Sequence, residues 1–165
     1  MNKKPIIIVS GEPNSVFLEL FFKSIKKCSF KNPLVIIASK ELLQQQMKKL
    51  GFFFEINDIN KNFYKFNKLD NKRINLINID YKFNNCFEKI SSKSNDYIKQ
   101  SFEVALRIII QKKFKKFING PISKKFFLKG KTLGITEYLA KKTKRTNDVA
   151  MLIFNKNLSV SPLTT

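Results

Sequence analysis

The sequence predicts an α/β fold: a doubly wound, mostly parallel sheet with helices on both faces. Three observations predict it. Short uninterrupted apolar runs, at Pro5–Val9 and Leu34–Ala38, have the length and composition of strands buried on both sides. Segments with apolar residues at helical spacing separate them. The connections between them are short, and that rhythm is the signature of βαβ units.

The elements run in order. Lys4–Ser10 holds the first strand, and Gly11-Glu12-Pro13-Asn14-Ser15 is a turn in which Asn14 or Ser15 is a suitable helix cap. Phe17, Leu20, Phe21 and Ile25 then recur at helical spacing up to Lys27. Leu34–Ala38 is the second strand. Ser39 is placed to cap a helix over Lys40–Leu50, with Gly51 just past its end. Phe52–Ile56 is predicted as the third strand. Asp58–Lys72, rich in Asn and Lys, reads as a surface excursion, and Ile74–Ile79 as an edge or half-buried strand. Asn84–Ser94 is loop-like. Asn95 to about Lys113 forms a helix with Ile98, Phe102, Ala105, Leu106, Ile109 and Ile110 on one face. Lysines at 112, 113, 115 and 116 load its C-terminal end, where cations suit the helix dipole. Phe117–Asn119 is a further strand, and Ala150–Phe154 with Leu158–Ser161 form two more around an Asn155-Lys156-Asn157 turn. Neither a repeat nor a linker is visible, so residues 1–165 read as one α/β unit.

Composition narrows the function. The chain of 165 residues carries 32 Lys and Arg against 12 Asp and Glu, a net charge of +20. Only Arg73, Arg107 and Arg145 are arginines, whereas base and phosphate recognition favours the bidentate guanidinium fork. The lysines accompany abundant Asn, Ile and Phe with no Trp, as AT-rich coding produces. Nucleic-acid binding is therefore disfavoured, though lysines near a pocket still attract anionic small molecules. No apolar run approaches the ~18–20 residues of a membrane span, and the N-terminal run is too short for a secretory leader. Cys28 and Cys86 are isolated and suit a reducing compartment. The expected location is the cytoplasm.

With no histidine in the chain, neither a Ser-His-Asp or Cys-His apparatus nor a His-ligated metal site can form within it. The carboxylates form no spaced acid–base pair, and Asp80 and Glu88 read as surface residues. The Gly11 turn lacks the G-x-G-x-x-G spacing of a pyrophosphate cradle and reads as a generic turn. The densest functional-looking stretch is Asn119–Thr143. There Gly120-Pro121 follows an apolar strand, at the kind of strand–helix junction where open α/β sheets bind ligands. Ser123 is placed to cap the helical segment after it. Lys124 puts a cation in a first helical turn, which a bound anion would explain, although a solvated lysine explains it equally. Thr136 stands at a second, glycine-led helix start, placed either to cap it or to hydrogen-bond a ligand. Glu137 is at ease there as a structural residue.

Gly120-Pro121-Ile122-Ser123-Lys124 and Gly134-Ile135-Thr136-Glu137-Tyr138-Leu139-Ala140 resemble the 4-hydroxythreonine-4-phosphate dehydrogenase family of pyridoxal-phosphate biosynthesis. Gly11-Glu12-Pro13, the helix at Ser101–Ile110, Val149–Leu152 and the closing Leu163-Thr164-Thr165 add weaker similarity. The resemblance implies part of a two-domain fold like that of isocitrate and isopropylmalate dehydrogenases. It also implies an NAD-dependent oxidation in which a divalent metal stabilises the developing oxyanion, followed by decarboxylation. The substrate implied is 4-phosphohydroxy-L-threonine, and the assembly a homodimer. It assigns substrate contacts to Thr136, Ile135 and Lys124. The family's histidine before the threonine is Ile135 here, which can neither donate a hydrogen bond nor carry charge. The family's L-T-T precedes a metal-binding histidine, and its members are about twice this length. The chain is thus expected to be an N-terminal fragment, with metal ligands and nicotinamide contacts outside it and no catalytic or metal-binding residue inside. Two alternatives remain: a non-catalytic or truncated paralogue that binds an anionic small molecule, and a basic nucleic-acid-associated domain.

Overall fold

The computed structural model describes residues 4–59, 66, 69–112, 114–146 and 149–162. Much of the Asn/Lys-rich excursion, Lys113 and the Leu163-Thr164-Thr165 terminus lie outside the described residues. The contacts divide the chain into two compact units, Met1–Pro121 and Ile122–Thr165.

The first unit is built on a five-stranded parallel sheet. Its strands are β1 (Ile6–Val9), β2 (Leu34–Ala38), β3 (Ile56–Asp58), β4 (Ile74–Asn78) and β5 (Phe117–Asn119), in the spatial order β3-β4-β2-β1-β5. The register pairs Ile8 with Ile36 and Ile118, and Ile36 with Leu76. Successive side chains alternate between faces. Ile8, Leu34, Ile36, Ala38, Ile74 and Leu76 therefore share one face, covered by α1 (Phe17–Lys27) and α2 (Lys40–Lys49) through Leu18, Phe21, Phe22 and Leu43. The opposite face packs against α3 (Asn95–Lys112). Helices thus cover both faces, as expected of a doubly wound sheet.

Several boundaries differ from the sequence expectation. β3 runs over Ile56–Asp58, not Phe52–Ile56, because Phe52 and Phe54 turn inward onto Phe22 instead of joining the ladder. β4 is neither edge nor half-buried: it lies between β2 and β3, and its first four residues are buried. Burial of Asn75 is tolerated because its amide donates to the carbonyls of Leu34 and Asp70 and accepts from Asn57. The buried stripe of α3 comprises Tyr97, Ile98, Ser101, Phe102, Ala105 and Ile108, while Ile110 is exposed. At α1 the cap position falls on Val16, one residue after the expected Ser15, whose hydroxyl still accepts the Phe17 N–H. Ser39 does cap α2, accepting from the Leu42 N–H.

The second unit contains a five-residue π-helical turn (Lys124–Leu128), α4 (Ile135–Thr143) and a short antiparallel hairpin, β6 (Ile153–Phe154) and β7 (Ser159–Val160). The Asn155 N–H closes the hairpin onto the Leu158 carbonyl. Among the described residues, no helix is long and apolar enough to cross a membrane.

Candidate substrate-binding site

The order β3-β4-β2-β1-β5 reverses direction at β1. From β1 the chain winds outward through β2, and only after α3 does it return to add β5 on the other side. Such a reversal opens a crevice at the carboxyl ends of the two strands, the preferred ligand position of open α/β sheets. The turns that border it are Ser10–Ser15 after β1 and Gly120-Pro121 after β5.

These turns touch through their backbones. The Gly120 N–H donates to the Val9 carbonyl at 2.7 Å, and the Glu12 N–H donates to the Pro121 carbonyl at 2.8 Å. Gly11 holds φ +72°, and a Cβ on it would overlap the Pro121 carbonyl oxygen. A Cβ on Gly120 would overlap the Ser10 carbonyl and approach Phe17 to 2.9 Å. Both glycines are therefore required by close approach, the first also by its left-handed backbone.

Beneath the crevice lies a buried polar network. Ser10 Oγ and the Tyr97 hydroxyl are 2.8 Å apart, and the same hydroxyl accepts the Ser39 N–H at 3.2 Å. Burial pushes the Tyr97 phenol up to about 12, so it is neutral at physiological pH. Glu12, only 2% exposed, accepts from Ser94 Oγ at 2.8 Å. Burial raises its pKa, against a smaller lowering by the Ser94 hydroxyl and the Asn14 backbone N–H. The Asn14 side chain accepts from the Glu88 N–H at 3.1 Å, a second tie between the β1 turn and the loop before α3. The Glu88 carboxylate is held below its usual range by the backbone N–H groups of Asn85 and Asn84 and by Lys93. The Tyr81 hydroxyl is buried, and burial raises its pKa against a smaller lowering by the Asn14 side chain.

The residues singled out from sequence lie in the second unit. Ser123 caps the π-helical turn, accepting from the Phe126 N–H at 3.1 Å, as predicted. Lys124 opens that turn and is exposed. Ile135 and Thr136, both half-buried, form the first turn of α4, whose cap is Gly134 with no side-chain cap bond. The Glu137 carboxylate lies against Gly134, 3.1 Å from where a Cβ would stand, as a residue holding its own helix start would. An edge-to-face contact between Phe127 and Tyr138, with centroids 5.3 Å apart, joins the turn carrying Lys124 to the helix carrying Thr136. Sequence reasoning missed the Glu12–Ser94 and Ser10–Tyr97 pairs, since their partners are separated by more than 80 residues. The one available signal was Glu12 itself, an acid beside an apolar strand.

Hydroxyls, amides and backbone groups abound, but no group of three metal-ligating side chains converges among the described residues. With no histidine in the chain as well, the residues present do not fit a divalent metal site.

The sheet order defines a doubly wound α/β protein whose topological switch point lies between β1 and β5. Comparison with known proteins carries the assignment further. Residues 29–165 match the family model of the pyridoxal phosphate biosynthetic protein PdxA, and the chain belongs to that family. Its structure is similar to a 4-hydroxythreonine-4-phosphate dehydrogenase from Burkholderia phymatum, at 21% identity and a TM-score of 0.79, over 96% of this chain and 49% of that one. The enzyme of the same name from Klebsiella pneumoniae gives 20% identity, a TM-score of 0.79, and coverage of 96% and 50%. A putative one from Salmonella typhimurium gives 20%, 0.81, and the same coverage. The chain therefore spans about half the length of these structures. Among curated proteins none matches it.

Proposed function

We propose that this chain contributes roughly half of a catalytic body for the NAD-dependent, metal-assisted oxidation and decarboxylation of 4-phosphohydroxy-L-threonine in pyridoxal-phosphate biosynthesis. The observation that carries the reading is the family match over residues 29–165, which contains both the Gly120–Lys124 and Gly134–Ala140 segments. In this reading Thr136 hydrogen-bonds the substrate, Lys124 offsets the charge of its phosphate, and Ile135 supplies an apolar wall. NAD would accept the hydride and the metal would stabilise the oxyanion, both held by residues outside this set of 165. The working protein is a cytoplasmic homodimer. Calorimetric titration of the chain with the substrate tests the reading. Thr136→Val and Lys124→Met should each weaken binding about tenfold, the worth of one hydrogen bond to a charged group. Binding unchanged in both variants refutes it.

Ile135 favours a second reading, a family member that binds an anionic small molecule without catalysis. NADH formation by the chain completed with a relative's other half separates the two. Under the first reading Ile135→His should raise kcat/KM; under the second the substitution should produce no turnover.

A further inference from the structure

At the opposite end of the sheet from the crevice, where β2 and β4 begin, the first unit holds a cavity of about 560 Å³. That volume lies within the ~300–1,000 Å³ typical of small-molecule sites. Its apolar lining comes from Phe21 and Ile25 of α1, Leu34, Phe54 and Ile74. Its polar margin is Asp70, Lys72 and Arg73. A second depression, of about 420 Å³, shares Phe54 and all three of these margin residues, so the cations stand on a ridge common to both.

Two asparagines hold the walls in place. Asn71 donates to the carbonyls of Phe30 and Asn32, each at 3.0 Å, and accepts the Leu34 N–H at 2.9 Å, clipping the 70–73 turn to the loop after α1. Asn75 ties Leu34 to Asp70 from beneath. Both amides are satisfied within the protein, so they shape the cavity without needing a ligand. A cavity fixed in this way binds without a large ordering cost.

The charges at the margin are unequal in what they leave available. One Asp70 oxygen accepts the Lys72 N–H, and the other takes Arg73 Nε at 3.4 Å. Among the described residues Arg73 is engaged by Asp70 through Nε alone, and the Lys72 ammonium has no ion-pair partner. Along the first cavity two cations thus stand against one carboxylate beside an apolar floor, Glu55 lining only the second depression. We propose that this cavity binds a small amphipathic anion, with an apolar body of about ring size on Phe21, Ile25 and Phe54 and a carboxylate or phosphate head against Lys72 and Arg73. The site is separate from the crevice and independent of the proposed reaction.

Titration of isotope-labelled chain, followed by amide chemical shifts, tests this. The probes are phenyl phosphate, with benzyl alcohol and inorganic phosphate as the body-only and head-only controls. Phenyl phosphate should bind saturably and move the amides of Ser29, Phe30 and residues 71–75, with each control at least about tenfold weaker. Arg73→Met and Lys72→Met should each weaken phenyl phosphate about tenfold, the loss of one charge-assisted hydrogen bond. Cys28 is exposed and lines the cavity, so Cys28→Trp should fill it and abolish the shifts while leaving the unfolding midpoint unchanged. No saturable shift at these amides overturns the proposal. So do shifts confined to the Gly11 and Gly120 turns or to the β6–β7 hairpin, and so does wild-type affinity in both the Arg73 and Lys72 variants.

Discussion

Gly120→Ala tests the switch-point crevice most directly, because the added methyl has nowhere to go. Its Cβ would overlap the Ser10 carbonyl oxygen, stand 2.7 Å from that carbonyl's carbon and 2.9 Å from Phe17 Cγ. The first two obstacles are backbone, so a rotamer change cannot relieve them. Ordinary contact needs about 3.4 Å or more, so the C-terminal ends of β1 and β5 must part by more than the roughly 0.7 Å that the carbonyl carbon alone requires, because the oxygen stands closer still. That movement stretches the Gly120–Val9 and Glu12–Pro121 hydrogen bonds, now 2.7 and 2.8 Å. Overpacking against unyielding neighbours costs about 1–3 kcal/mol, and weakening two backbone bonds places this case at the upper end. Gly51→Ala is the control: it has a similar left-handed backbone at φ +70°, but nothing within 4 Å of the new Cβ. It should cost only the conformational penalty of about 1–2 kcal/mol. Urea unfolding followed by circular dichroism measures both. Gly11→Ala combines strained backbone with overlap of Pro121 and should cost more than either. Paired with Gly120→Ala it should be sub-additive, since one displacement relieves both clashes. If Gly120→Ala costs less than Gly51→Ala, the two turns are not held against each other as described.

Three further outcomes concern the network beneath the crevice. Glu12 has a raised folded pKa, so its contribution to stability is complete below the unfolded carboxylate value and is lost as pH rises through the folded one; Glu12→Gln should remove that decline when unfolding is measured from pH 4 to 8. Glu88 has a lowered folded pKa, so its contribution is present above the unfolded value and lost as pH falls through the folded one; Glu88→Gln should flatten the acid side of the same curve and lower its neutral plateau. Tyr97→Phe strands the buried Ser39 N–H and Ser10 hydroxyl and should cost about 1–3 kcal/mol in urea unfolding, with α2 losing amide-exchange protection first.

The parallel sheet was legible because β1 and β2 are buried on both faces, and such strands appear in sequence as unbroken apolar runs. β4 was harder, because INLIN alternates like a half-exposed strand. Its Asn75 is buried by bonds to Leu34 and Asp70, one partner 41 residues away, which no local pattern announces. The Phe52–Phe54 segment misled for a related reason. Aromatic residues suit a strand, but here they fill a pocket around Phe22, and tertiary packing overrides propensity. In the candidate site, the Ser123 cap and the glycine-led start of α4 were readable, since capping is local chemistry. The Gly11 turn read as generic because its spacing lacks a phosphate fingerprint. Its role rests instead on Pro121, 110 residues later in the chain, and only the topology brings the two together.

The placement of chemistry within the chain reflects this division. The crevice in the first unit is built from backbone contacts and buried, satisfied groups. Tyr97 serves it as a neutral phenol, and Glu12 as a carboxyl whose pKa is raised by burial. In the second unit, Lys124 and Thr136 are the polar residues to which the proposed function gives substrate contacts. Under that proposal Ile135 sets what they can discriminate. A histidine at that position would add a donor and a titratable charge beside the Thr136 hydroxyl, whereas isoleucine leaves the threonine to act alone. A site that hydrogen-bonds a substrate group rejects analogues lacking it by far more than an apolar contact does. In this chain Thr136→Val should therefore erase most of the preference for a hydroxylated over a deoxygenated phosphoester, and Ile135→Val should barely change it. Equal losses from the two substitutions would mean that the first turn of α4 recognises its ligand by shape.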